Sequence, residues 1–415
     1  MNAVVALLFC CLTQAGMPVP LLHTVGQVPD LPPTYKDAQQ KPLGYYGPGR
    51  EEPEPQGLRE VLIGYFGPSD PRHPEGGALW LAATQAIQEA NREGGYKGLP
   101  FRLVPGWSEN PWAGGISTVT RMAYIDKVWA LIGSIDGAST HLAEQVVAKA
   151  RLTLINPAST DRTIHGANVP WMFSCVPGDH LLAPLLVRAL DGAPFTLLSA
   201  TDHDSRAFVT ELKSALARSR LSPVSHVEFK TATGELAQRV TSQAVVLVAG
   251  ARDSARVVKA LRSAGFAGPI LGSPSMGRAI FIEQAGAAAE GVLFPLLAQP
   301  SDSRFPDYAA AHAYDAARLL VAAIRKAGLN RARIRDAVQE LSGWQGVTGV
   351  IRWDNLGQNE RPAVLGTIKD GRVAPVDSRP SKVLWRGTVP VWDPPWSVPT
   401  ASAWLPAQGC RHTAL

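Results

Sequence analysis

Cysteine is scarce in this chain, with four in 415 residues. Two of them, Cys10 and Cys11, lie in an apolar run at the N-terminus, which leaves Cys175 and Cys410. Neither has a Cys or His partner at metal-binding spacing. The two thiols either pair over a long range or stay single. Catalytic signatures are missing too: there is no GxSxG elbow, no GxxxxGK[ST] phosphate loop and no GxGxxG after the first strand. The nine histidines are scattered, without HExxH or paired spacing. Asp202, His203 and Asp204 are adjacent, and only a loop would turn all three toward one ion. These absences imply no enzyme, no metal and no cofactor. Charge is also thin, at 18% of residues with a formal net charge of +5. The basic residues are spread out and no Lys/Arg run alternates with aromatics, so nucleic acid is not an expected partner. The N-terminal run is too short to span a bilayer as a helix, and no other stretch reaches that length.

A chain this long exceeds what one core usually fills, so two domains are expected. Ala3 to Leu12 is apolar over ten residues and Thr13-Gln14-Ala15 precedes Gly16. This reads as an export signal over residues 1–15, although the segment before it lacks Lys and Arg. A lipid anchor fits less well, because Phe9 rather than a small residue precedes Cys10. Residues 16–57 are rich in Pro, Gly, Gln and charge and read as a mobile arm. Residues 377–415 are rich in Pro and Trp, lack helical period and read as an extended tail.

Between arm and tail, apolar runs alternate with helical periodicity. Val61 to Phe66, Phe101 to Val104 and the runs at Trp129 and Leu152 read as buried strands. Gly77 to Glu93 and Ile116 to Lys127 read as helices. The same rhythm restarts after Pro177, with strands at Phe195 and Ala244 and helices at Ala207 and Ser254. Tyr308 to Ala327 reads as an amphipathic helix. Short links between strand and helix imply open parallel sheets with helices on both faces.

The most telling stretch is WALIGSIDGASTHLAEQVVAKARLTLINPAST, residues 129–160. It reads strand, polar loop, helix, strand, polar loop. In a parallel sheet both loops emerge at the carboxyl edge, where ligands bind. Two hydroxyl-rich loops poor in charge suit a small polar ligand better than a reaction. Trp107 and Trp112 flank another loop at the same edge, where they either stack on a ligand or pin the loop by packing. Glu144 reads as a solvated residue of the helix between the two loops.

Seven segments, taken in serial order, resemble the type I periplasmic solute-binding proteins, in particular the Leu/Ile/Val-binding group of ABC importers. They are VLIGYFGP with GALWLAATQAIQEANREGGYKG, the 128–160 stretch, AGARDSARVVKALRSAGFAGPILGSP, AAAEGVLF, YDAARLLVAAIRKAG and GVTGVIRWDNLGQ, spread over about residues 58–376. The resemblance implies an α/β fold of two doubly wound parallel-sheet lobes joined by three hinge crossings, with a ligand between the lobes. The crossings are expected near Phe173 to Pro177, near Val292 to Pro295 and near Thr348. Lobe one then combines residues 58–176 with 296–346, and lobe two combines 178–291 with 347–376.

Carried over position by position, the resemblance implies that Gly137, Ala138, Ser139 and Thr140 offer amides and hydroxyls to a ligand carboxylate, an arrangement suited to a helix N-terminus. Ala158, Ser159 and Thr160 offer a carbonyl and hydroxyls. Trp107 and Asp204 border the cleft. Ala251 stands where the family often has an aromatic residue, and Pro274 where it has the acid that pairs the ligand ammonium. Gly137 stands where the family often has Ser, and the family's first-lobe disulfide is absent. Asp202, Asp204, Arg206, Arg252 and Asp253 are alternative polar contacts. The expectation is an exported, monomeric solute receptor that hands an amino acid, amide or short carboxylate to an ABC permease, with leucine a poor ligand. A sensor module of the same fold is the alternative, and an exported hydrolase a remoter one.

Overall fold

Every residue of the run VLIGYF except Leu62 is buried, and the run forms β1 (Val61–Phe66) in the interior of a sheet. The computed structural model describes residues 44–298 and 304–376. The expected export segment, the tail and Cys410 lie outside the described residues, as does the arm before residue 44.

The first half of the chain alternates β1, α1 (Gly77–Arg92), β2 (Phe101–Gly106), α2 (Ile116–Tyr124), β3 (Ala130–Gly133), α3 (Gly137–Ala150), β4 (Thr153–Asn156) and β5 (Met172–Pro177). β1 pairs in parallel with both β2 and β3, and β4 and β5 extend the sheet beyond β3. Strand order therefore reverses at β1, which places a topological switch point above it. After Pro177 the chain enters a second sheet. It alternates α4 (Asp179–Leu190), β6 (Phe195–Ala200), α5 (His203–Arg218), β7 (Ser225–Phe229), β8 (Ala244–Val248), α6 (Ala251–Ser263), β9 (Ile270–Gly272), α7 (Ala279–Ala285) and β10 (Leu293–Leu296). β6 is the switch strand here, paired in parallel with β7 and β8.

The chain then returns to the first sheet. α8 (Tyr308–Ala327) is expected to be amphipathic, yet fifteen of its 20 residues are buried. Its alanines let it lie against both α1 and the sheet, and arginines from its solvent side tie it to α1: Arg318 and Arg325 pair with Glu93 at 2.9 and 3.0 Å. α9 (Arg331–Glu340) follows, then the hairpin β11 (Trp344–Gly346) and β12 (Gly349–Ile351). β13 (Gln358–Asn359) pairs with β5, and only then do β14 (Val364–Lys369) and β15 (Arg372–Pro375) join the second sheet. The fold is thus two α/β sheets of parallel strands, the second with an antiparallel edge at β14 and β15.

Two sequence expectations need correction. The third crossing lies between Asn359 and Val364, not near Thr348. The hairpin cannot leave the first lobe, because Trp353 packs on Phe173 at 5.2 Å and donates its Nε1–H to Val338 O. Asn359 Nδ2 also donates to Cys175 O at 2.6 Å. Residues 347–359 therefore belong to lobe one. The second correction concerns the arm, whose described part is fastened to the fold. Tyr45 is 2% exposed and lies 4.8 Å from the Trp171 ring. Asn330 Nδ2 donates to Gly49 O at 2.7 Å, and Glu54 accepts from Tyr96, Lys97 and the Leu329 amide. Aromatic burial and satisfied carbonyls outweigh the flexibility that the composition suggests.

Candidate functional site

The carboxyl ends of the two sheets face one another across a chamber of about 240 Å³. From lobe one it is lined by Glu75 after β1, Ile135 and Asp136 after β3, and Ala158, Ser159 and Thr160 after β4. From lobe two come Asp202, Asp204 and Phe208 after β6, Ala249 to Ala251 after β8, and Ser273 to Ser275 with Arg278 after β9. Tyr308, at the start of α8, closes it. Both sheets place their loops by the same rule, so the topology alone brings these residues together.

The loop after β4 is shaped by one side chain. Asn156 Oδ1 accepts from Ala158 N and Ser159 N at 3.1 and 3.0 Å, while its Nδ2 donates to Ser159 O and Ser174 Oγ. His165 braces the same network from below. Leu356 O can only accept, so His165 Nδ1 carries the proton and Nε2 accepts from Ser174 Oγ at 2.7 Å. Burial pushes the His165 pKa down to about 4, so the ring is neutral. Four buried polar groups are thereby satisfied, and the loop presents Ser159 to the chamber.

The loop after β3 is organised as a helix start. Asp136 is the N-cap of α3 and accepts from Ser139 N at 2.7 Å. The Thr140 hydroxyl donates to Asp136 O and accepts from Ser134 N. The first-turn amide of Gly137 donates across the cleft to Asp204 Oδ1 and Oδ2 at 2.9 and 3.0 Å, and Ser159 Oγ donates to Asp204 Oδ1 at 3.0 Å. The amide and hydroxyl expected to meet a ligand carboxylate are met by a carboxyl of lobe two. Desolvation in the closed cleft, together with the neighbouring charge of Asp136, pushes the Asp204 pKa up to about 7.

The expected site residues therefore divide. Ala158, Ser159, Thr160, Asp204, Ala251 and Pro274 line the chamber, and Gly137 borders it through Asp204. Ala138, Ser139 and Thr140 are not chamber-lining residues: Ser139 is fully buried, and the Thr140 hydroxyl is committed to its own turn. Trp107 does not line the chamber either. Its ring packs 5.5 Å from Phe66 and its Nε1–H bonds Glu109, so it pins the loop. Arg206, Arg252 and Asp253 lie away from the chamber, whereas Asp202 lines it and caps α5 through Ser205 N at 3.0 Å.

Sequence reasoning missed Arg278, Glu75 and Tyr308. Arg278 is 7% exposed. Its Nε donates to Asp307 Oδ2 at 2.9 Å, and its Nη2 donates across the cleft to Glu75 O at 2.7 Å. Burial opposes its charge, but Asp307, Tyr308 and Glu75 outweigh that and hold its pKa raised. A lone Arg following PSMG carries no sequence signal of this role.

One further group assembles at the cleft. Asp161 Oδ2 lies 2.7 Å from His203 Nε2 and 3.4 Å from His141 Nε2. Glu144, expected on a solvated face, is 6% exposed and sits behind His141, Oε2 to Nδ1 3.3 Å. Asp161 and Glu144 together push the His141 pKa up to about 9.

Comparison with known proteins gives a consistent result. A family model described as periplasmic binding protein matches residues 63–372. An amino acid binding protein of Pseudomonas aeruginosa is 28% identical over 117 residues, which cover 28% of this chain and 31% of that protein. The match thus spans about a third of the length of that curated relative. The substrate-binding protein LivJ of Streptococcus pneumoniae, solved in complex with isoleucine, superposes with a TM-score of 0.69 at 20% identity, over 76% of this chain and 97% of that one. A substrate-binding periplasmic protein of Ralstonia solanacearum superposes with a TM-score of 0.69 at 23% identity, over 76% and 100%. Among the described residues, no helix is long and apolar enough to cross a membrane.

Proposed function

The chain belongs to the periplasmic binding protein family, and we propose that it is an exported receptor that captures a small polar solute between its lobes and delivers it to an ABC permease. The observation that carries this reading is the chamber lined from both sheets, with hydrogen bonds across it from Gly137 to Asp204 and from Arg278 to Glu75. Such contacts can form only when the lobes are together, so a ligand that adds to them shifts an open–closed equilibrium.

The lining narrows the ligand. Four carboxyl groups face or border the chamber, from Glu75, Asp136, Asp202 and Asp204. Among the described lining residues the guanidinium is that of Arg278, which pairs with Asp307 at 2.9 Å and with Glu75 at 3.7 Å. This balance favours a solute that brings N–H donors or an ammonium, such as an amino acid or an amide. The volume is below the roughly 300–1,000 Å³ of pockets for drug-sized ligands, so the solute is compact.

A thermal-shift screen of amino acids, amides, urea and short carboxylates tests the reading. Compounds with N–H donors are expected to raise the melting temperature and carboxylates without them to have no effect. A set in which only the plain carboxylates stabilise, or in which nothing does, counts against it.

A further inference from the structure

We propose that His141, Asp161 and His203 form a binding site for a zinc-class divalent ion that bridges the two lobes beside the chamber. The donors come from three elements: α3, the turn after β4, and the first residue of α5. Two belong to lobe one and one to lobe two. One donor atom from each lies within 4.8 Å of the others. Zinc bonds of about 2.0–2.1 Å in a tetrahedral shell put donor atoms about 3.3–3.4 Å apart. The His141–Asp161 separation of 3.4 Å already matches that spacing. The His203–Asp161 contact of 2.7 Å must lengthen by roughly 0.6–0.7 Å to reach that spacing, and the two imidazoles must draw in. The His203 side chain is 41% exposed, so it has room to rotate.

The surroundings are those of a metal site. A ligating histidine is usually oriented by a carboxylate on its other ring nitrogen. Glu144 Oε2 stands 3.3 Å from His141 Nδ1, and Glu144 Oε1 is buried with no hydrogen-bond partner. Asp161 Oδ1 accepts from Thr163 N at 2.8 Å and from Thr163 Oγ1 at 2.7 Å, which leaves Oδ2 aimed at the two imidazoles. Thr163 Oγ1 also lies 2.9 Å from His141 Nε2, a contact that a metal would replace. Gly137 keeps the space open, since a Cβ there would sit 2.8 Å from Asp161 Oδ2. Two imidazoles and one carboxylate select borderline transition ions over magnesium or calcium, and three protein ligands leave a fourth position for water or a ligand atom. The bound ion would displace the proton on His141 and staple α5 of lobe two to lobe one.

The metal site stands apart from the solute reading; only its effect on closure rests on the two-lobe cleft. The test is calorimetric titration of zinc chloride into untagged, EDTA-dialysed full-length protein, followed by small-angle scattering. One zinc per chain is expected, with no heat from magnesium or calcium. His203→Ala should weaken binding by about ten-fold or more, and Glu144→Gln by about ten-fold. Zinc should lower the radius of gyration of the native protein and leave that of His203→Ala unchanged. The exposed position of His203 keeps this variant informative even where a change at His141 or Asp161 disturbs folding. Equal zinc affinity in His203→Ala, or no stoichiometric binding to the native chain, overturns the proposal.

Discussion

The Gly137 amide of lobe one donates to the Asp204 carboxyl of lobe two at 2.9 and 3.0 Å, so an internal acid sits on the helix N-terminus where a ligand anion is expected. The approach depends on a missing side chain. A Cβ at Gly137 would lie 2.8 Å from Asp161 Oδ2 and 2.9 Å from Asp204 Oδ1.

Gly137→Ala should therefore hold the lobes apart, since the added methyl meets the Asp204 carboxyl in the closed form, while its contact with Asp161 lies within lobe one and displaces that side chain whether the lobes are open or closed. Affinity for the best solute of the thermal-shift screen should fall by about ten-fold or more, because the closed form becomes a minor species. Scattering should show a larger radius of gyration. A radius and affinity equal to those of the native protein would mean that the Asp204 contact does not govern closure.

Arg278→Met should destabilise the protein by about 3–5 kcal/mol, because it leaves the buried Asp307 charge unpaired. Asp307 also caps α8 through Ala309 N and Ala310 N at 3.0 and 3.1 Å. Adding Asp307→Ser removes the stranded charge and keeps a capping hydroxyl. The double variant should recover part of the loss in urea unfolding. If it is less stable than Arg278→Met alone, the pair is not what the arginine stabilises.

Removing residues 1–57 should lower the melting temperature by about 3 °C, from an expected loss of about 2 kcal/mol. The deletion uncovers Trp171 and strips Asn330 and Tyr96 of their partners. Differential scanning calorimetry decides, and an unaltered transition would restore the view of this segment as a free arm.

Two buried histidines make stability depend on pH. Burial pushes His165 down to about 4, and burial, with Arg361 nearby, pushes His312 down to about 3. In the unfolded chain both return to the ordinary value near 6.5. Between the folded and unfolded values the unfolded state holds more protons, so their contribution rises with pH. It is complete above about 6.5 and is lost as pH falls from there toward 4 and 3, at up to about 1.4 kcal/mol per unit for each ring. His312→Leu should accordingly flatten the urea-unfolding stability difference between pH 5 and pH 7. An unchanged slope would show that the ring is charged in the fold.

Much of the architecture is legible along the chain. Buried strands such as Ala244–Val248 are apolar at every position because both faces of a parallel sheet are covered, and that pattern survives in one dimension. The loops after β3 and β4 are legible for the same reason, since a polar break following such a run must leave the sheet at its carboxyl edge. The burial of α8 was harder to read: its alanines give a helical period without showing that two layers cover it. Glu144 misled for a related reason, because a carboxylate on a helix looks solvated until a histidine four ångströms or less away makes it a partner.

What the sequence by itself determined is the alternation of strand and helix, and with it the kind of fold and the sheet edge from which the polar loops emerge. Those features rest on local periodicity and on the short reach of each connection. Only the tertiary structure decided which side chains meet across the cleft. Asp204 on Gly137, Arg278 on Glu75 and His203 on Asp161 each join residues far apart in the chain, and their pairing follows from how two sheets face each other, which no local pattern encodes.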